Sequence, residues 1–127
     1  MGTYLNDLTG TYLSEDENYE ITITREDPNL GFFEGFLINK KSPLGEWRYE
    51  LNDSNTRHAY LSGKKLIAVG IFPWYRSGMW DESVFEYWNG AYDAPTNKLT
   101  MGMTVTYTSI ESGIQNTVES NIILIKR

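Results

Sequence analysis

Apolar and polar residues alternate along much of this chain with a period of two. Leu99, Met101, Met103, Val105 and Tyr107 interleave with Thr100, Gly102, Thr104, Thr106 and Thr108. In an extended backbone this puts the apolar side chains on one face and small polar ones on the other, so a strand is predicted over 98–108. Tyr19, Ile21 and Ile23 alternate with Glu20, Thr22 and Thr24, and Trp47, Tyr49 and Leu51 with Glu46, Arg48 and Glu50. Each set predicts a further strand with one buried face. The segments 32–39, 66–74, 83–92 and 116–125 carry apolar residues on both sides, as strands do when the outer face is also covered, which points to contacts between subunits. A short segment at 8–13 completes eight strands. Turn-forming stretches at 14–18, 26–31, 40–45, 52–65, 75–82, 93–97 and 110–113 separate them, and no long stretch keeps a helical period.

Eight meandering strands must close or split into two layers to hide their edges. The expectation is therefore a single all-β domain over residues 1–127, an antiparallel eight-stranded up-and-down barrel whose interior holds side chains or one small ligand. Composition agrees. With 127 residues, 40% hydrophobic and 22% charged, the chain suits one globular core and not a disordered segment. Its 4 Trp, 9 Tyr and 5 Phe favour strands and ligand-lining walls. A net charge of −6 would repel phosphate backbones, so no nucleic-acid partner is expected. No apolar run approaches the ~20 residues of a membrane helix, and no basic stretch followed by an apolar run opens the chain. A soluble protein with no membrane partner and no signal peptide in this chain is expected, either cytoplasmic or secreted after trimming. The absence of cysteine excludes disulfides, thiolate metal sites and cysteine nucleophiles.

Catalytic signals are sparse. The one histidine, His58, falls in the polar 52–65 connection and reads as a solvated loop residue. A triad or two-histidine metal site is then out of reach within one subunit, and no nucleophile-elbow, P-loop or dinucleotide motif occurs. Glu15, Asp16 and Glu17 lack the spacing of a calcium loop and read as a solvated turn. Glu86 shares a strand face with Trp88, and Glu20 or Glu34 is available as a second carboxylate, the pair a small glycoside hydrolase needs. A narrow barrel leaves little room for such a substrate. The expectation is a non-enzyme without catalytic residues, metal or cofactor. Aromatic and methionine side chains beside scattered Ser, Asn and Thr suit an apolar pocket with a few orienting hydrogen bonds, and suit a packed core equally.

Several short segments resemble the avidin and streptavidin family. Leu8-Thr9-Gly10-Thr11-Tyr12 is similar to its opening strand, and Phe32-Phe33-Glu34-Gly35-Phe36 to its third, with the central glycine. Lys40-Lys41-Ser42-Pro43-Leu44-Gly45 resembles the connection that follows, Val69-Gly70-Ile71-Phe72-Pro73-Trp74 the fifth strand, and Trp88-Asn89-Gly90-Ala91-Tyr92 the sixth. The likeness is collinear over nearly the whole chain. Lipocalin-like barrels, which share a Gly-x-Trp opening, are the rival family.

The resemblance implies a non-catalytic small-molecule-binding barrel that assembles as a homo-dimer or homo-tetramer, with biotin or another small molecule in its interior. Ser14, Asn18 and Asn39 fall at hydrogen-bonding positions of that family's ligand site, and Trp74 and Trp88 at aromatic walls. Leu37 replaces a tyrosine donor, Glu86 a threonine and Met103 a wall tryptophan, while the ureido aspartate falls on Ile122 with Asn121 beside it. The tryptophan lent by a neighbouring subunit falls near Ile114. Each missing donor costs roughly 1–3 kcal/mol, so biotin binding is expected to be weak or absent. The same register turns Glu20 and Thr22 inward and Tyr19, Ile21 and Ile23 outward, which supplies a subunit interface. The alternatives are a structural or oligomerising barrel filled by its own side chains, or a lipocalin-like carrier.

Overall fold

The computed structural model describes residues 8–61 and 65–127. Its strands are β1 (Gly10–Ser14), β2 (Tyr19–Asp27), β3 (Phe32–Ser42), β4 (Gly45–Leu51), β5 (Thr56–Tyr60), β6 (Leu66–Ile71), β7 (Trp74–Arg76), β8 (Glu82–Asp93), β9 (Lys98–Ser109) and β10 (Gly113–Lys126). A 3-10 turn, Ala94–Thr96, joins β8 to β9. All pairings are antiparallel, in the order β4-β3-β2-β1-β10-β9-β8-β6-β5, with β7 on β8 beyond the end of β6.

The chain is predominantly β, but it does not form the closed eight-stranded barrel. It makes one 10-stranded sheet in which no ladder joins β4 to β5, so the sheet stays open. Two features of the chain account for the extra strands. The segment expected at 66–74 breaks at Phe72 and Pro73, where proline has no N–H to give a ladder, and becomes β6 and β7. The polar connection expected at 52–65 contains β5, while 62–64 lie outside the described residues. The sheet nevertheless curls until β5, at one end, touches β3, next to the strand at the other. Thr56 Oγ1 accepts from the Phe33 N–H at 3.0 Å, and the His58 N–H donates to the Gly31 carbonyl at 2.8 Å.

The hollow of the curl is packed. Tyr12, Tyr19, Ile21, Phe33, Leu37, Trp88, Tyr92, Leu99 and Leu124 are all within 2% of complete burial. Removing such side chains from water is worth about 1.5–3 kcal/mol each. Tyr19 meets Trp88 edge-on at 5.1 Å between ring centroids, and Tyr12 meets Tyr92 at 5.4 Å. Gly90 permits the tight β8–β9 contact, since a Cβ there would lie 1.9 Å from the Thr100 carbonyl oxygen.

The β2 register departs from the one implied by the avidin likeness. Tyr19, Ile21 and Ile23 face the core, and Asn18 lies in the β1–β2 turn. The outward apolar stripe that argued for a homo-dimer or homo-tetramer is therefore the inside of the sheet.

Two bulges change which side chains face inward. On β2 the pairing slips between Ile23 and Arg25, so Thr24 and Arg25 both point outward and Glu26 turns into the core. On β10 the slip falls between Glu119 and Ile122, where Asn121 adopts a φ of 58°. Ile122 and Leu124 then face inward, while Ile114 and Val118, at the same parity, stay in solvent. A bulge inserts one residue into a two-residue repeat, which is why it exchanges the faces.

Candidate functional site

Three places carry chemistry beyond packing. The first is an interior cluster around Glu86, which is fully buried on β8. Asn39 Nδ2 donates to both carboxylate oxygens at 3.2 Å, and Trp88 Nε1 donates to Oε1 at 2.8 Å. The Tyr49 hydroxyl is buried beside this carboxylate without a hydrogen bond of ordinary geometry. Burial pushes the Glu86 pKa up, and the Trp88, Tyr49 and Asn39 donors only partly offset it.

The second cluster surrounds Glu26, swung inward by the β2 bulge. The Leu8 N–H donates to Oε2 at 2.8 Å, the Tyr60 hydroxyl donates to Oε1, and His58 Nε2 lies 3.2 Å from Oε1. The two ionisable side chains are buried together, so His58 is an interior residue and not a solvated loop histidine. Burial pushes the Glu26 pKa up, but His58, Tyr60 and the Leu8 amide outweigh it and hold the carboxyl below its usual value. In both clusters the carboxylate is bonded by neighbouring donors, while the Tyr49 hydroxyl and both His58 ring nitrogens are buried without a hydrogen bond of ordinary geometry.

The residues expected to line a ligand cavity fall in several environments. Asn39, Glu86, Trp88 and Met103 do come together: Trp88 and Met103 are ladder partners, and Asn39 bonds Glu86. Leu37 packs in the core opposite Tyr49. Ser14 donates to Asp16 at 2.8 Å within its own turn, and the Asn18 N–H donates to the same Asp16 side chain at 3.0 Å. Trp74 lies on the outside, 54% exposed. The interior is occupied by side chains, so the expectation of biotin or any other small molecule held inside a closed barrel, and with it the lipocalin-like carrier, is not supported.

The third place is the outer face of β7–β10, where the sequence reading places apolar residues on both sides of 66–74, 83–92 and 116–125 but does not include the turns at 77–81 and 110–112. Among the exposed large apolar side chains of the described residues, all but Leu30, Leu61 and Leu66 belong to β7, β8 and β10 or to the turns at 77–81 and 110–112. Trp74 stacks on Phe85 with rings 7° from parallel and centroids 5.6 Å apart, and Phe72 leans on Tyr87 at 6.3 Å. Trp80 is 71% exposed at a φ of 59°, with the Arg76 guanidinium 3.4 Å from its ring centroid. The 77–81 turn holds it there: the Trp80 N–H donates to the Ser77 carbonyl at 3.0 Å, and the Asp81 N–H to Ser77 Oγ at 3.1 Å. A bulky residue in the left-handed region costs about 1–3 kcal/mol, and such strain concentrates at functional positions. The available sequence signal was Met79-Trp80, two bulky apolar residues inside a turn-forming stretch.

Comparison with known proteins adds no relative: no protein-family model, no curated protein and no solved structure matches the chain. With the sheet open, the likeness to the avidin and streptavidin family is withdrawn. The fold is that of an all-β domain built on one open, curled sheet. No helix among the described residues is long and apolar enough to cross a membrane.

Proposed function

We propose that this chain is a non-catalytic interaction module that docks a protein partner on the outer face of β7–β10. The observation that carries this reading is the concentration of exposed Trp, Phe, Tyr, Met and Ile on those strands and their turns. Trp, Tyr and Arg dominate interface hot spots, and contiguous exposed apolar patches on soluble domains mark docking sites. The strained, displayed Trp80 supports the same face. The two buried carboxylates support a structural role for the interior, because each is held by neighbouring donors.

Selection of a random-peptide library on the immobilised chain tests the reading. Enriched peptides are expected to shift the amide resonances of β7, β8 and the 77–81 and 110–112 turns, and to lose binding to a Phe85→Glu variant with an unchanged circular dichroism spectrum. Peptides whose shifts map to the Glu86 end of the core, or a selection without specific binders, would overturn it.

A further inference from the structure

The outer face contains a groove of about 360 Å³ with a definite chemistry. Trp74, Phe85 and Trp80 line it together with Arg76, whose guanidinium lies 3.4 Å from the Trp80 ring centroid, and with Ser83 and Thr108, whose hydroxyls bond each other at 2.6 Å. Neither indole N–H has a hydrogen-bond partner among the described residues. An adjoining cavity of about 470 Å³ shares Asp81 and Glu82 with the groove and adds Glu111, and no Lys or Arg lines it. The groove therefore offers aromatic walls with unused donors, and it leads toward three carboxylates.

Resting on the interaction-module reading, the geometry points to one class of partner segment: a proline-rich stretch in the polyproline II conformation, followed by basic residues. Three features of the groove match such a segment. Proline rings are compact and apolar and pack between aromatic side chains. A polyproline helix has no internal hydrogen bonds, so its carbonyls are acceptors without competing N–H groups, and the exposed indoles carry N–H donors with no acceptor among the described residues. The acidic cavity is complementary to lysine or arginine beyond the prolines. A sugar would bring as many donors as acceptors, and a β-strand would bring N–H groups along with its carbonyls, so both fit this donor set less well. The polyproline helix is also preorganised, which lets a shallow open groove bind with little ordering cost.

The test uses the whole chain and four probes: octaproline ending in two arginines, octaproline ending in two glutamates, a Gly-Ser peptide of the same length ending in two arginines, and a linear glucose oligosaccharide. Tryptophan fluorescence and amide shifts report binding. The arginine-tailed octaproline is expected to bind with shifts at Trp74, Trp80 and Phe85. Trp80→Ala should weaken it about tenfold, or ~1.4 kcal/mol. The paired change Asp81→Asn with Glu111→Gln should abolish the preference for the arginine tail over the glutamate tail while leaving the proline contacts. Trp80 is on the surface, so an unchanged thermal midpoint separates lost binding from lost folding.

Equal binding of the Gly-Ser peptide, or binding of the oligosaccharide in place of octaproline, would overturn the proposal. Library peptides that occupy this face without enrichment of proline would overturn it while leaving the interaction module intact. Absence of every ligand from the face would remove both.

Discussion

Glu26 and Glu86 are two carboxylates buried in one core, and their surroundings drive them in opposite directions. Glu26 is met by a histidine, a tyrosine hydroxyl and a backbone amide, which together hold it below its usual pKa. Glu86 is met by an amide, an indole and a tyrosine ring, neutral groups that do not overcome burial, so its pKa is raised. Glu26 also ties two parts of the curl together, since it lies on β2 while His58 and Tyr60 are on β5, the strand at the far end of the sheet. Depth of burial alone therefore does not decide the state of an acid; the donors that reach it do.

The sharpest way to break the contrast is to neutralise Glu26. Glu26→Gln removes the carboxylate beside His58 and turns an amide N–H₂ toward groups that donate, so urea unfolding should show a loss of about 3 kcal/mol near neutral pH. The pH dependence follows from the direction of the shift. A carboxyl held below its unfolded pKa contributes stability above the ordinary value of 4.5, and that contribution disappears as pH falls through the folded value. The variant's deficit should therefore shrink in acid.

Trp88→Phe attacks the other cluster. It removes the 2.8 Å donor to Glu86 and leaves a small cavity, for an expected loss of about 2 kcal/mol by the same measurement. With one donor fewer, the decline of stability at rising pH should steepen, and an unchanged slope would show that the indole does not help hold the carboxylate.

Glu86→Gln should cost less than about 1 kcal/mol at acid pH, because a neutral amide resembles the protonated acid. A carboxyl with a raised folded pKa gives its full contribution below the unfolded value of 4.5 and loses it as pH rises through the folded value. Relative to wild type, Glu86→Gln should accordingly improve from about pH 4 to about pH 7, opposite in sign to Glu26→Gln. Parallel slopes for the two variants would erase the distinction drawn between the sites.

The smallest effect is expected outside the core. Trp80→Gly relieves a left-handed tryptophan and should raise the thermal midpoint slightly, by the equivalent of about 0.5 kcal/mol, while weakening peptide binding. A variant that is both more stable and less active would locate function on the outer face.

The sequence by itself determined that the chain is β and where most of its strands run. Period-two alternation at 19–23 and 99–107 also named the correct inner residues, because side chains of a strand point alternately to its two faces. The family likeness displaced that correct pattern by one on β2. What alternation could not supply is where the count slips. The bulges at Thr24 and near Asn121 bring Glu26 and Ile122 inside, and they depend on how β2 meets β3 and how β10 meets β9. Closure was likewise beyond reach: it depends on whether β4 and β5 share a ladder across the Asn52–Asn55 turn, and they do not. The candidate groove was the least legible feature, since Trp74, Trp80, Phe85 and Ile110 come from two strands and two turns. Trp74 and Phe85 read in sequence as parts of separate strands, and Trp80 and Ile110 as parts of separate turns. Only the pairing of β7 with β8, and of the 110–112 turn with the Asp81 carbonyl, gathers them onto one surface, because a surface is a property of neighbours in space and the chain specifies neighbours only after it has folded.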